Sequence, residues 1–271
     1  MSKTEIQAVL SGLNLHPSRR LGQNFLCDGN LLRAIVRDAA PAPGESILEI
    51  GAGTGVLTAG LLAAGCQVTA VEIDHRLHEH LGIRFGDSPR LRLVRADACR
   101  LDYDELMGSA PYRCVANLPY SVSTVVLTRL CEAANPPTAL LILLQREMAE
   151  RLTARPSSKA YGGLTVQTSL LYEAHLLRRV PPEVFLPPPA VESALLRLTR
   201  RSDAAPAAER RLAGDVARLA FGQRRKRLGR TLASRYGAER VGAALQRLGL
   251  DPNVRPEELA PERFIELARL L

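Results

Sequence analysis

The stretch SILEIGAGTGVLTAGL, residues Ser46 to Leu61, decides the fold. A short aliphatic run passes directly into Gly51, Gly53 and Gly55, and an apolar segment rich in leucine and alanine comes next. That order reads as strand, glycine turn and helix, the opening of a βα unit in which the backbone can approach a ligand closely with helix N–H groups facing it. The pattern is E-x-G-x-G-x-G, beginning at Glu49. A dinucleotide fingerprint would need glycine at position 56, where the chain has Val56, so S-adenosylmethionine fits the turn better than NAD. A tight structural turn asks for the same glycines, so the cluster has to be weighed together with the strands and acids downstream of it.

Outward from this stretch the same rhythm repeats. QVTAVEI, a polar helical stretch, LRLVRA, RCVAN, the helix-like STVVLTRLCEAA and TALLILL come in turn. The alternation predicts a doubly wound, Rossmann-like α/β domain on a mostly parallel sheet, with strands apolar on both faces. Near Arg201 to Ala208 the sequence RSDAAPAA is polar, small and proline-bearing, and beyond it only helical periodicity remains, as in RRLAGDVARLAF and VGAALQRLGL. The expected division is therefore a catalytic domain over 1–203 and a small all-α domain over 204–271.

Composition narrows the class. With 271 residues and 46% hydrophobic composition the chain can bury a full-sized core. Its longest apolar runs fall short of a bilayer span, and its first residues lack the pattern of a signal peptide, so a cytoplasmic protein without a membrane partner is expected. The five cysteines are scattered without a CxxC pair and read as reduced core thiols; none follows a proline, which excludes the nucleophile of a Pro-Cys base methylase. His75, His78 and His80 do not share one helix face, so no metal is expected. Net charge is +8, and from residue 207 onward 14 Lys+Arg stand against 8 Asp+Glu, so most of the excess lies in the C-terminal quarter. A polyanion such as RNA would feel that field, whereas a solvated helical surface is the plainer explanation.

The ends of successive strands carry the groups a nucleoside needs. Glu72 closes AVEID about twenty residues beyond the glycine turn, where a carboxylate can accept both ribose hydroxyls. Asp97, in RADA after the next strand, is placed to accept from an adenine amino group. Either acid could equally cap the turn that comes after it. The fourth strand delivers Asn117, Leu118, Pro119 and Tyr120 to the same edge. An adenine N6 amine is a poor nucleophile, because its lone pair is delocalised into the ring. The Asn117 side-chain oxygen and a carbonyl near Leu118 or Pro119 would hold both amine hydrogens and favour a pyramidal nitrogen. Pro119 fixes the turn, and Tyr120 offers a flat face for a base.

Together with RLGQNFL (20–26), EIGAGTG, NLPYSVST, QREMAERL, KAYGGLTV, VPPEVFLPPPAVESALLRL and AFGQRRKRL, these residues resemble the KsgA family of ribosomal RNA adenine dimethyltransferases over nearly the whole chain. The resemblance implies methyl transfer from S-adenosylmethionine to N6 of two adjacent adenosines in the 3′-terminal hairpin loop of 16S rRNA. It implies a role in small-subunit biogenesis, with rRNA in the assembling 30S subunit as partner and a monomer as the acting species. It also implies that Gln23, Asn24 and Leu26 close over the cofactor, that Gly51, Gly53, Glu72 and Asp97 bind it, and that Asn117 joins the two sites. Phe185 would stack on the target adenine opposite Tyr120; by itself it reads as a loop aromatic covering a core edge. Arg224, Arg225, Lys226 and Arg227 would grip RNA phosphates. Leu21, Ser121 and Arg230 depart from the residues usual in the family without touching an expected ligand. The large-subunit methylases of erythromycin resistance share this fold and chemistry but lack the AFxQRRK helix. A DNA adenine methylase would more usually show Asp-Pro-Pro-Tyr, and an assembly factor whose methylation is secondary is the reading from another class.

Overall fold

The computed structural model describes residues 1–18, 21–223 and 226–271. Among them nine strands form two sheets: β1 (Phe25–Leu26), β2 (Ser46–Ile50), β3 (Gln67–Glu72), β4 (Leu91–Arg95), β5 (Arg113–Asn117), β6 (Ala139–Gln145), β7 (Tyr172–Val180), β8 (Phe185–Leu186) and β9 (Ser193–Arg200). Seven of them make one sheet in the order β4-β3-β2-β5-β6-β9-β7, and β1 pairs with β8 in a small second one. From β4 to β6 all neighbours are parallel, and β9 runs antiparallel to β6. This is the doubly wound, mostly parallel sheet that the repeat of aliphatic runs predicts.

Parallel strands need crossover connections, and the helices Val56–Ala63, His75–Phe85 and Ser123–Glu132 supply them. Ile47, Val115, Leu141 and Leu195, from four neighbouring strands, pack in one core with Ile35, Leu57 and Leu61. β2 and β6 are buried almost throughout, as strands covered on both faces must be. β4 departs from that expectation: LRLVR is half exposed, because it is the sheet's outer strand and carries arginines on its open side. Of the cysteines, Cys66, Cys114 and Cys131 are buried, and none of the five forms a disulfide.

The chain divides into two compact units, Met1–Ala149 with His175–Thr199, and Glu150–Ala174 with Arg200–Leu271. The helical unit is thus not confined to 204–271. Tyr161, Val166 and Leu170 share its core with Ala213, Val216, Leu232 and Phe264. The Tyr161 hydroxyl donates to the Leu259 carbonyl at 2.8 Å, and its ring meets Phe221 edge-on at 5.8 Å. A hairpin-like excursion between two strands of the sheet therefore contributes a helix, Gly163–Ser169, to the second unit. Linear composition cannot reveal such an exchange, because the segment's apolar residues fit either core.

Candidate active site at the carboxyl edge of the sheet

The chain leaves β2 toward β3 and β4 on one side and returns as β5 on the other. Connections that diverge in this way open a crevice at the carboxyl ends of the strands. A cleft of about 1130 Å³, counted out to its mouth, lies there, lined by the 21–26 segment, the glycine turn, Glu72, Ile73, Asp97 and residues 117–122.

The glycine turn closes on two sides at once. Gly53 has φ 58°, and a Cβ there would lie 3.2 Å from the buried Phe25 ring. Its N–H donates to Glu72 Oε2 at 2.8 Å. Gly51, at φ 74°, would bring a Cβ to 3.3 Å from Pro119, so the turn packs directly on the Asn-Leu-Pro-Tyr segment. Glycine is required at both positions by backbone conformation and by space.

Glu72 is buried, and its other oxygen, Oε1, accepts from the Asp74 N–H at 2.9 Å. Burial pushes its carboxyl above the usual range, while the backbone N–H groups of Asp74 and Gly53 pull it back. Asp97 accepts from the Cys99 N–H at 2.9 Å. Both acids cap turns and both line the cleft, so capping does not take either away from it. Each carboxylate oxygen has a second lone-pair site with which to accept from a ligand.

Asn117 ends β5, and its Nδ2 donates to the Asn24 carbonyl at 3.0 Å. That bond fixes which end of the amide is the nitrogen and leaves Oδ1 as its accepting end. Asn24 is itself held, its own amide donating to Gly22 O, and Gln23 Oε1 accepts from the Ser18 N–H. Pro119 O accepts from the Val122 N–H at 3.2 Å, closing the next turn. The Pro119 carbonyl is thus engaged locally, whereas no hydrogen bond to the Leu118 carbonyl is seen among the described residues.

Comparison with known proteins decides what this edge belongs to. The family model described as ribosomal RNA adenine dimethylase matches residues 14–271. The chain belongs to that family. It is 41% identical over 264 residues to the ribosomal RNA small subunit methyltransferase A of Synechococcus sp. (strain JA-3-3Ab), covering 94% of this chain and 93% of that protein. It is 40% identical to the protein of the same name from Cereibacter sphaeroides, over 97% of this chain and 95% of the other. Among solved structures it resembles the 23S rRNA methyltransferase ErmE, with a TM-score of 0.67 and 28% identity over 92% of this chain and 99% of that one. A dimethyladenosine transferase from Plasmodium falciparum shares the fold, with a TM-score of 0.74 at 22% identity over 90% and 95% of the two chains.

Within this dimethylase, Gln23, Asn24, Leu26, Gly51, Gly53, Glu72, Asp97, Asn117, Leu118, Pro119 and Tyr120 all line one cleft. Phe185 does not. It is 1% exposed, pairs with Leu26 across the β1–β8 ladder, and packs in the core with Leu26 and Val180. No face of the ring is open to the cleft: it covers a core edge, the plainer of the two readings given for it, because the two-stranded ladder turns it inward. Of the basic run, Arg224 and Arg225 lie outside the described residues, while Lys226 and Arg227 are exposed.

Three features at this edge escape a reading by motif. Ile73 is 47% exposed and lines the cleft beside Glu72, an apolar surface for a ring; its place directly after the strand-end acid is the only sign of it in the sequence. Glu49, the first residue of the glycine motif, is 1% exposed and accepts from Thr58 Oγ1 at 2.7 Å. Burial pushes its carboxyl up to about 8, against the hydrogen bond from Thr58 that lowers it. Ser193, which begins β9 and is fully buried, shares a short hydrogen bond with the Tyr120 phenol. Among the described residues no group of three His, Cys, Asp or Glu side chains is placed to hold a metal ion.

Proposed function

We propose that this cleft joins S-adenosylmethionine and a target adenine, with its residues divided between holding the cofactor and preparing the amine. The protein is a dimethyltransferase of ribosomal RNA adenine. In this reading it acts on the N6 atoms of two adjacent adenosines in the 3′-terminal hairpin loop of small-subunit rRNA. The residues present fit the cofactor: a glycine turn that excludes any Cβ, two strand-end carboxylates with free lone-pair sites, and Ile73 beside them. Bound there, S-adenosylmethionine supplies a methyl group activated by its sulfonium charge. Gly51, Gly53 and Glu72 would hold its ribose and backbone-facing atoms, Asp97 its adenine amine, and the Gln23–Leu26 segment its outer side.

The observation that carries the reading is the Asn117 amide, pinned through Nδ2 to Asn24 so that Oδ1 is the accepting end. With the Leu118 carbonyl it accepts the two N6 hydrogens of the target base. The amine is then drawn out of conjugation, and its lone pair becomes available without a strong base. Tyr120 provides the stacking face, and a loop base costs less to extrude than a paired one.

Lys226 and Arg227 stand at the N-terminal end of the helix Leu228–Tyr236. Cations there oppose the helix dipole, so their presence is not explained by helix stability. Phosphates of the RNA supply the missing partner. In this reading the substrate is the assembling 30S subunit, met by a monomer in the cytoplasm; no described helix is long and apolar enough to cross a membrane.

The decisive experiment incubates purified unmethylated small subunits, large subunits and naked loop RNA with S-adenosylmethionine and reads dimethyladenosine by mass spectrometry. The product is expected on the small subunit. Its appearance first or only on the large subunit would transfer the chain to the class of the 23S methyltransferase that it resembles in structure.

A further inference from the structure

Tyr120 lies in a turn outside any strand or helix, so nothing in regular structure fixes its ring. It is nonetheless held at both ends. Its carbonyl accepts from Ser123 Oγ at 3.2 Å, and its phenol shares a short hydrogen bond with Ser193 Oγ. Ser193 is an unusual partner in its placement. β9 runs antiparallel to β6, so its first residue arrives at the edge where the parallel strands end. There Ser193 pairs with Gln145, and the step before it is clamped by Arg146 N–H donating to Glu192 O at 2.9 Å and by the Arg146–Glu192 ion pair at 2.6 Å. A fully buried hydroxyl on a rigid strand end thus reaches across to a residue of the cleft.

We propose that Ser193 is a positioning residue: its hydroxyl holds the phenol end of Tyr120 and so fixes the direction of the side chain, placing the ring for the target adenine before the base arrives. The tyrosine side chain swings about its Cα–Cβ bond and carries the phenol with it, so an anchor on the phenol oxygen removes that freedom and holds the ring in one place. Pre-set geometry lowers the ordering cost that base capture would otherwise carry. The inference rests on Tyr120 being the stacking face.

Ser193→Ala and Tyr120→Phe each delete one side of this bond and leave the ring. On unmethylated small subunits each is expected to lower kcat by about three- to tenfold, the effect of removing one hydrogen bond, with KM for the subunit and calorimetric affinity for S-adenosylmethionine unchanged. The double variant is expected to fall no further than either single one, since both remove the same bond. Additive losses, or wild-type kcat in Tyr120→Phe, overturn the proposal, and so does a fall in cofactor affinity that tracks the fall in kcat. Tyr120→Ala separates the two levels: if it too turns over normally, the stacking role of Tyr120 itself is wrong, whereas a defect confined to Tyr120→Ala rejects only the anchoring by Ser193.

Discussion

At the scale of single residues the cleft joins groups whose chemistry is set by burial. Asn117→Ala removes the acceptor proposed for the amine and none of the groups that would hold phosphates. Methyl transfer should therefore be abolished while subunit binding stays within about threefold of wild type, as a filter-binding assay run beside the activity assay would show. Glu49 makes a different prediction. Its carboxyl is raised to about 8 by burial, so between the ordinary carboxylate range and pH 8 the folded protein keeps a proton that the unfolded chain releases. The stability this gives is complete at low pH and is lost as pH rises through 8, with a slope approaching about 1.4 kcal/mol per pH unit. Glu49→Gln keeps a neutral acceptor for Thr58 and should flatten the urea-denaturation stability between pH 5 and 8. An unchanged slope would mean that Glu49 is ionised in the folded protein. Glu72 is raised as well and adds a contribution of the same sign, so the difference between wild type and variant is what isolates Glu49.

At the scale of elements, the glycine turn shows two kinds of requirement within five residues. Gly53 serves the cleft, through its N–H to Glu72 and its packing on Phe25. Gly55 serves the core behind it: at φ 76° it starts the helix Val56–Ala63, and a Cβ would fall 2.6 Å from both Leu81 and Phe85. Gly55→Ala should therefore lower the stability by about 1–3 kcal/mol in urea titration while cofactor affinity of the folded protein changes by less than about threefold. Much of this element is legible in the sequence. The strand and helix on either side come from aliphatic runs of five and eight residues, and the glycines from the spacing E-x-G-x-G-x-G. The strand-end positions of Glu72, Asp97 and Asn117 are equally legible, because in a parallel sheet the residue after each aliphatic run must emerge at the same edge. The half-exposed β4 is not, since which strand lies outermost is a matter of order in space and not of local sequence.

At the scale of the whole molecule, the C-terminal excess of positive charge asks for a polyanion, and the exposed pair Lys226 and Arg227 provides a measurable part of it. Replacing both with alanine should weaken subunit binding and reduce the slope of log affinity against log salt by about 0.7 to 0.9 for each phosphate no longer neutralised. An unchanged slope would leave the pair as surface decoration. The sequence by itself determined the class of sheet, the cofactor turn and the acids and amide at the strand ends, because these depend on alternation and spacing along the chain. Tertiary structure alone decided three matters. The β1–β8 ladder turned Phe185 into the core. The antiparallel entry of β9 carried Ser193 to Tyr120, 73 residues distant in sequence. The segment Glu150–Ala174 joined the helical unit although the chain returns to the sheet after it. Each is a pairing between residues far apart in sequence. Hydrophobic periodicity states which side of an element is buried, but not which distant surface buries it.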